Sequence, residues 1–413
     1  MNKRPLAIIF AVVFLDLLGF GIVIPQLAIY AHRFGASGFW VGVLGSTYSA
    51  MQFLFAPMLG RLSDRVGRRP VLLISLLGSV GGYLIFGLAG SLAWLFVGRM
   101  VQGICGANIG TAQAYIADVT PPEERAKSLG LYLGAAFGLG FVFGPAVGGL
   151  LAQWGNLGLG IAAAAMSLCA FLLALVALPE SLPPEKRGAH ARQRGGLERL
   201  MEVLRMPGVG RIIAVFGLAT LGFSMMEGVF SLYVLVHFFH VEATPGALPG
   251  HDPLSVSAGR WTAAVFVVIG VVSTVVQGGL IGRLRAAFGE PKLVAAGVGI
   301  MTLAFAFVPA VGSVALLMAP MGALALGSGI NNPSISSLLT QRAPATRQGE
   351  VIGVYQSVGS FARTVGPSLG GLFFQMFGET TPFLGAAALM ALATVISLGL
   401  LNAGPRAPEA SVI

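Results

Sequence analysis

Apolar residues in this chain neither form one-sided stripes nor alternate; they run on for long stretches between short polar breaks. The runs cover residues 6–31, 39–62, 70–90, 93–118, 128–153 and 157–178, then 209–238, 258–282, 292–310, 313–340, 350–376 and 381–402. A helix rising ~1.5 Å per residue needs ~20 residues to cross a hydrocarbon core, so each run predicts one membrane-spanning helix. The ~10-residue alternating segments of an outer-membrane barrel do not occur. The opening "MNKRPLAIIFAVVFLDLLGF" lacks a small-residue cleavage site and stays apolar past residue 25, which predicts an uncleaved first span. Between the sixth and seventh runs, "PESLPPEKRGAHARQRGGLERLMEVLRMP" has the Pro, Gly and charge content of a linker, with a short amphipathic helix over Leu197–Leu204. The predicted fold is an all-α membrane protein of 12 transmembrane helices. A six-helix bundle spans 1–178, a cytoplasmic linker 179–207, and a second six-helix bundle with a short cytoplasmic tail 208–413.

Composition agrees with the pattern and excludes several classes. With 55% apolar and 10% charged residues over 413 positions and a mean hydropathy of +0.84, the chain lacks the charged surface of a soluble enzyme of its length. A net charge of +9 would point a soluble protein toward nucleic acid, but here the basic residues are segregated. With the N-terminus in the cytoplasm, 21 of 25 lie in or beside cytoplasmic loops, and only Arg33 and Arg260 flank outer ones. This positive-inside pattern predicts cytoplasmic termini, an even number of spans and no nucleic-acid partner. Cys105 and Cys169 fall inside runs, against a disulfide framework. No G-x-x-x-x-G-K-[ST] loop and no metal-spaced His or Cys cluster occurs; His190, His240 and His251 sit in loops. Neither an enzyme, an ATP-driven pump, a metal site nor a cofactor is expected. An ion gradient remains as the driving force, worth ~2.3 kcal/mol per charge crossing ~100 mV.

The two halves repeat one another. At an offset of 222 residues, "GRLSDRVG" from Gly60 lies over "GRLRAAFG" from Gly282, and "ERAKSLGLYLGAAFGLGFVFGPAVGG" from Glu124 over "TRQGEVIGVYQSVGSFARTVGPSLGG" from Thr346. Gly60, Arg61, Leu62, Gly67, Arg125, Gly144, Pro145, Gly148 and Gly149 each meet an identical residue, which predicts a duplicated six-span unit.

Gly60, Leu62, Asp64, Arg65, Gly67, Arg68 and Arg69 fill a G-x-L-x-D-R-x-G-R-R loop between the second and third runs. Together with "FLDLLGFGIVIPQL", "GRMVQGICGANIG" and "GFVFGPAVGG", this loop makes about the first 150 residues resemble the proton-coupled drug-exporter branch of the major facilitator superfamily, especially tetracycline exporters. The resemblance implies two bundles related by an axis along the membrane normal, with the substrate between them near the midplane. It implies residence in the bacterial inner membrane and action as a monomer. It further implies that Asp64 faces the N-terminus of span eleven and that Arg68 pairs with Asp118. With Gly60, Arg65, Gly67 and Arg69, these contacts would latch the outward-facing state. The pattern departs at Gly82 in "VGGYLIF" and in span nine, where tetracycline exporters carry acids and this chain has none; that counts against tetracycline as substrate.

Of sixteen acids, only Asp16 and Glu227 lie well inside predicted spans, where an ionised side chain costs ~2.5–3.5 kcal/mol. A low dielectric favours a neutral carboxylic acid, so Asp16 is read as a site that binds and releases a proton, with Arg99 favouring its charged form on approach. The competing reading is a hydrogen-bonded carboxylate with no transport role. Glu227, toward the outer third of span seven, is read equally as a gate-lining or a proton-binding group. Arg363 faces Phe141 in the repeat, so duplication does not account for it; it neutralises Glu227 or Asp16, or holds an anionic substrate group. Gln52, Asn108, Gln113, Asn331, Asn332 and Gln356 are helix glue or cavity lining, the resemblance placing Asn108 and the Asn331/Asn332 pair beside the cavity. Phe20, Tyr48, Phe137, Phe141 and Tyr355 are candidate aromatic walls. Gly144–Pro145 and Gly366–Pro367, with Gly148 and Gly149 completing the first motif, predict kinks or close helix packing.

The expected function is a proton-coupled antiporter exporting amphipathic small molecules, with membrane lipid as its other partner. Two rival readings are an organic-anion symporter or exchanger, using Arg99 and Arg363 for carboxylates, and a lipid or lipid-linked flippase.

Overall fold

The structure is a computed structural model that describes residues 4–121, 124–187, 197–241, 253–344 and 347–401. Most of the expected linker, the C-terminal tail, His190 and His251 lie outside the described residues. Among the described residues every regular element is helical: α1 (Arg4–Arg33), α2 (Gly38–Val66), α3 (Arg68–Gly87), α4 (Leu92–Gly106), α5 (Ile109–Asp118), α6 (Arg125–Ser128), α7 (Gly134–Leu151), α8 (Gly155–Ala177), α9 (Leu197–Arg205), α10 (Val209–Tyr233), α11 (Pro253–Val275), α12 (Ile281–Phe288), α13 (Glu290–Phe307), α14 (Met318–Arg342), α15 (Gln348–Phe377) and α16 (Thr381–Leu401). Single π-helical turns at Leu129–Leu133 and Val276–Leu280 join α6 to α7 and α11 to α12, and a third, Val234–Phe238, extends α10. Each apolar run is therefore helical, and the amphipathic segment of the linker is α9. By length and composition, 8 helical stretches among the described residues can cross a membrane; one of them, Leu129–Ala177, is divided by a tight turn ending at Gly155, φ 67°.

Local sequence explains where the helices stop. Gly67, at φ 110°, ends α2 and begins α3, and its repeat partner Gly289, at φ 76°, does the same for α12 and α13. Both angles favour glycine, so the loop that the repeat predicted twice is built twice with one backbone device. The fourth run breaks at Ala107 and Asn108, between the weak helix formers Gly106 and Gly110.

In the first half, α1 packs on α7 and α8, α3 on α4 and α8, and α2 on α4; in the second, α10 packs on α15 and α16, α13 on α14 and α16, and α11 on α14. Two seams join the halves, α2 against α15 and α7 against α11, with α1 touching α10. Glycine sets both seams. A Cβ on Gly42 would lie 3.0 Å from Gly371 Cα, and one on Gly149 would lie 2.6 Å from Ala263 Cβ. The other motif glycines face inward within their half: a Cβ on Gly144 would meet Gly21 Cα at 2.6 Å, and one on Gly366 would meet Ser224 Cβ at 2.6 Å. The Gly-Pro-x-x-Gly-Gly segment thus packs on two neighbours at once, α1 and α11 from α7, α10 and α2 from α15. Both helices continue through Pro145 and Pro367 without a break.

The seams close at one end only. At the end carrying Gly35, Gly155 and Gly378, Ser368 donates from its backbone nitrogen to Ser46 Oγ at 3.0 Å, Phe39 nitrogen donates to Gln375 Oε1 at 3.2 Å, and Arg260 Nη2 donates to Gln153 Oε1 at 3.1 Å. Toward the opposite end, which carries Arg61 to Arg69 and Arg283 to Lys292, the contacts run out. Thr274 Oγ1 still lies 3.3 Å from a Cβ on Gly138, but nothing lies within 4 Å of one on Gly134, Gly278, Gly282 or Gly353. The halves are zipped at the far end and parted at the basic end.

Candidate functional site

The charged residues inside the helices gather where the zipped region gives way to the cleft. On α4, Arg99 is 3% exposed, donates from Nη1 to Gln102 Oε1 at 2.9 Å, and has its guanidinium carbon 4.6 Å from the centre of the Tyr48 ring and 5.7 Å from that of Phe20. Gln102 in turn donates to the Gly82 carbonyl at 3.2 Å. Glycines allow this arrangement: a Cβ on Gly106 would overlap the Tyr48 hydroxyl, and one on Gly82 would lie 2.8 Å from Gln102 Cγ. Position 82, where the resembling exporters carry an acid, is here filled by Gln102.

On α1, Asp16 accepts a hydrogen bond from Ser167 Oγ of α8 at 3.0 Å and has Asn108 as a second hydrogen-bonding neighbour. The break at Asn108 releases its side chain from the helix end, where it makes no capping bond. Asp16 and Asn108 line one small cavity with Val12, Leu72 and Ala112. Asp16 therefore faces protein, not lipid. Tyr48 and Tyr83 each lie near enough to feel the charges of both Asp16 and Arg99.

In the second half, Glu227 of α10 lies past the middle of the helical stretch Val209–Phe238. Its charged neighbours are Arg363 and, across the halves, Arg99. The structure thus sets Arg363 beside Glu227. Arg363 makes a single long hydrogen bond, from Nη2 to Ser360 Oγ at 3.4 Å, and Tyr355 lies next to it, stacked on Phe216 at 3.8 Å between ring centres.

The remaining candidates separate into lining and packing. Phe20 lies 4.8 Å from Tyr48 and 6.3 Å from Phe141, an aromatic group on the first-half side of the cleft. Phe137 packs instead against the core around Leu6, Ile9 and Leu133. Gln52 donates to the Gly106 carbonyl at 2.9 Å and ties α2 to α4. Asn331 is a correction: it is 0% exposed and wedged against Gly297 of α13, where a Cβ on that glycine would lie 3.0 Å from Asn331 Cβ, so it lines the contact between α13 and α14 and not the cavity. Asn332, Gln113 and Gln356 are exposed. Gln102, Tyr83, Ser167 and Phe216 escaped the sequence reading, since a lone polar or aromatic residue in a span does not reveal which face it occupies.

At the basic end, Arg68 is 5% exposed and multiply bonded: Nη1 to Asp64 Oδ1 at 2.6 Å and to Ser63 Oγ at 2.7 Å, Nε to Asp118 Oδ2 at 3.2 Å. Glu180, which the sequence assigned to a solvated linker, accepts from the backbone nitrogens of Arg68 at 2.9 Å and Arg69 at 3.2 Å, an anionic cap on the N-terminus of α3. Arg69 reaches the Leu175 carbonyl at 2.7 Å, while Arg65 is exposed. Asp64 is ion-paired with Arg68 among the described residues; its contact with the start of α15 was expected of the outward-facing state, and with the halves parted at this end it is not formed. Arg347 there pairs with Glu202 of α9 at 2.7 Å and Glu350 at 2.9 Å.

Comparison with known proteins supplies the context. A family model described as Major Facilitator Superfamily matches residues 9–363 and, in a second match, 249–412. The class C tetracycline resistance protein of Escherichia coli is 31% identical over 374 residues, covering 89% of this chain and 88% of that protein. Multidrug resistance protein 2 of Bacillus subtilis is 29% identical over 405 residues, covering 97% and 94%. Among solved structures, the human organic anion transporter MFSD10 superposes with a TM-score of 0.68 at 24% identity, covering 96% of this chain and 99% of that one, and the nucleoside transporter NupG with 0.71 at 13%, covering 96% and 100%.

Proposed function

The chain belongs to the Major Facilitator Superfamily, and from that premise we propose that it is a proton-coupled antiporter exporting amphipathic small molecules by alternating access. Its membership and its apolar helices make it an integral, multi-pass membrane protein and a transporter. The finer reading is one of twelve spans in two six-helix bundles, with both termini cytoplasmic, in a bacterial inner membrane, working as a monomer with no cofactor beyond the proton. The efflux proteins among its relatives support the direction of transport.

The observation that carries this reading is Asp16, a carboxyl group held inside the bundle by Ser167, sharing a small cavity with Asn108. A group so placed changes its proton affinity whenever the surrounding helices change its distance from a cation or from water. With the basic end parted, Asp16 is positioned to release its proton to the side on which the Arg68 network lies. When that end shuts and the far end opens, the same carboxyl can reload. Aromatic rings at Phe20, Tyr48 and Phe141 give an amphipathic cargo a surface within the same cleft.

The test is flux in proteoliposomes under an imposed proton gradient, with ethidium and tetracycline as probes. Accumulation should collapse when an ionophore dissipates the gradient and should be lost in Asp16→Asn, with protein content and monodispersity unchanged. Flux that ignores the gradient, or survives Asp16→Asn, would defeat the coupling scheme.

A further inference from the structure

Four charges sit near the centre of the bundle: Asp16, Arg99, Glu227 and Arg363. Among the described residues none of them is closed into an ion pair within 4.0 Å, whereas Arg68 at the basic end has two. Charges withdrawn from water are ordinarily paired and fully hydrogen-bonded. Arg99 buries an unpartnered Nε, whereas among the described residues no nitrogen of Arg363 is both sealed and unpartnered, so the free N–H groups of Arg363 stay accessible. A guanidinium offers five N–H donors, and this one makes a single bond of 3.4 Å to Ser360 Oγ. Beside it, the Tyr355 hydroxyl has no hydrogen-bond partner among the described residues, yet its ring is locked by the 3.8 Å stack on Phe216. A Cβ on Gly359 would lie 2.8 Å from the Phe216 ring and 3.4 Å from Arg363 Nη1, so the guanidinium sits beside the Phe216–Tyr355 stack, and neither the hydroxyl nor the remaining guanidinium N–H groups have an acceptor among the described residues. Glu227, the nearest carboxylate, acts on Arg363 through space without touching it.

We propose that Arg363 and Tyr355 form a carboxylate-binding subsite in the second half, which takes the acidic group of an aromatic organic anion whose ring rests on Phe20, Tyr48 and Phe141 of the first half. The planar fork of Arg363 suits a carboxylate bidentately, with the Tyr355 hydroxyl adding a third bond. Glu227 is then the resident competitor: its charge occupies the field of Arg363 while the subsite is empty, and neutralising it leaves Arg363 to the cargo. A molecule bound in this way touches both halves, so it reports directly on their separation.

The proposal rests on the transport reading for the identity of the cleft, but its test needs no gradient. Equilibrium binding of 1-naphthoate and of its neutral counterpart 1-naphthamide is measured on the purified full chain in detergent. Wild type should prefer the acid about tenfold, the scale of one charge-assisted pair. Arg363→Gln should abolish that preference while naphthamide binding persists, Arg363→Lys should retain part of it, and Glu227→Gln should tighten naphthoate. Should Arg363→Gln fail to give monodisperse protein, Tyr355→Phe, expected to weaken naphthoate about threefold and leave naphthamide unchanged, decides the matter. Absence of saturable naphthoate binding, equal affinity for acid and amide in wild type, or a preference untouched by these variants would overturn the subsite. Loss of proton-driven flux with binding intact would instead count against the coupling scheme alone.

Discussion

Adding one methyl group to Gly42 should unlatch the far end of the transporter. In the structure a Cβ at this position would overlap the Pro367 carbonyl oxygen and lie 3.0 Å from Gly371 Cα, all of them backbone atoms that no rotamer change can move aside. Overpacking of this kind costs about 1–3 kcal/mol. The cost falls only on the state in which α2 and α15 touch, because the new methyl meets nothing once the seam opens. The ratio of far-end-open to far-end-closed molecules should therefore rise by about 5- to 150-fold in Gly42→Ala. Ser46, 6% exposed and bonded to Ser368, supplies the reporter. With Cys105 and Cys169 replaced by alanine and a cysteine put at position 46, a membrane-impermeant maleimide should label Gly42→Ala faster by that factor. Gly81→Ala is the control, since nothing lies within 4 Å of a Cβ there. Labelling within twofold of the parent would refute the claim that glycine contact limits opening.

Other expectations follow from the basic end. Gly67→Ala and Gly289→Ala both force alanine to positive φ, about 1–2 kcal/mol each, but at Gly67 the methyl also meets Glu180 and Arg187, whereas at Gly289 the nearest atom is 4.0 Å away. Thermal denaturation should rank Gly67→Ala as the more damaging; equal losses would contradict the packing. Glu180→Ala removes the acceptor for two α3 backbone nitrogens and should lower stability by about 1–2 kcal/mol, with Glu180→Gln recovering part of it. Arg68→Ala strands Asp64 and Asp118 together and should cost more than Asp118→Asn, whose Arg68 keeps Asp64; the reverse order in a denaturation series would show that Arg68 is not the hub. Gln102→Ala frees Arg99 from its 2.9 Å bond, leaves a gap against Gly82, and should slow gradient-driven flux even well below its lowered melting temperature, while unchanged flux would detach Gln102 from the site.

The repeat was legible in the sequence because it is written in glycine, and glycine records where backbones must approach or turn. Gly67 and Gly289 end equivalent helices, and Gly148 and Gly370 each lie on the carbonyl of a helix in their own half, Ile22 and Met225. Asp16, Glu227 and Arg99 could be singled out because charge inside an apolar run is costly wherever it points. Direction was what the sequence withheld. Asn331 and Asn332 are adjacent and chemically identical, yet one is sealed against Gly297 and the other exposed. Glu180 stood in the stretch read as a linker and drew no attention, and only the turn at Gly67 brings the start of α3 to it. Asp64 depended on which end of the molecule is shut, a property of the whole assembly that no local pattern encodes.

The two-sided glycine segments of α7 and α15 separate two demands that a moving protein must meet. One side of each helix packs on its own half and, under the proposed alternating access, the other moves against the opposite half; main-chain atoms and small side chains such as Ser224 and Ala263 form these surfaces. A bearing made of main-chain atoms and small side chains has little to snag. The rings and charges proposed to meet the cargo belong to other atoms, so cargo preference can drift over generations while this bearing keeps its shape.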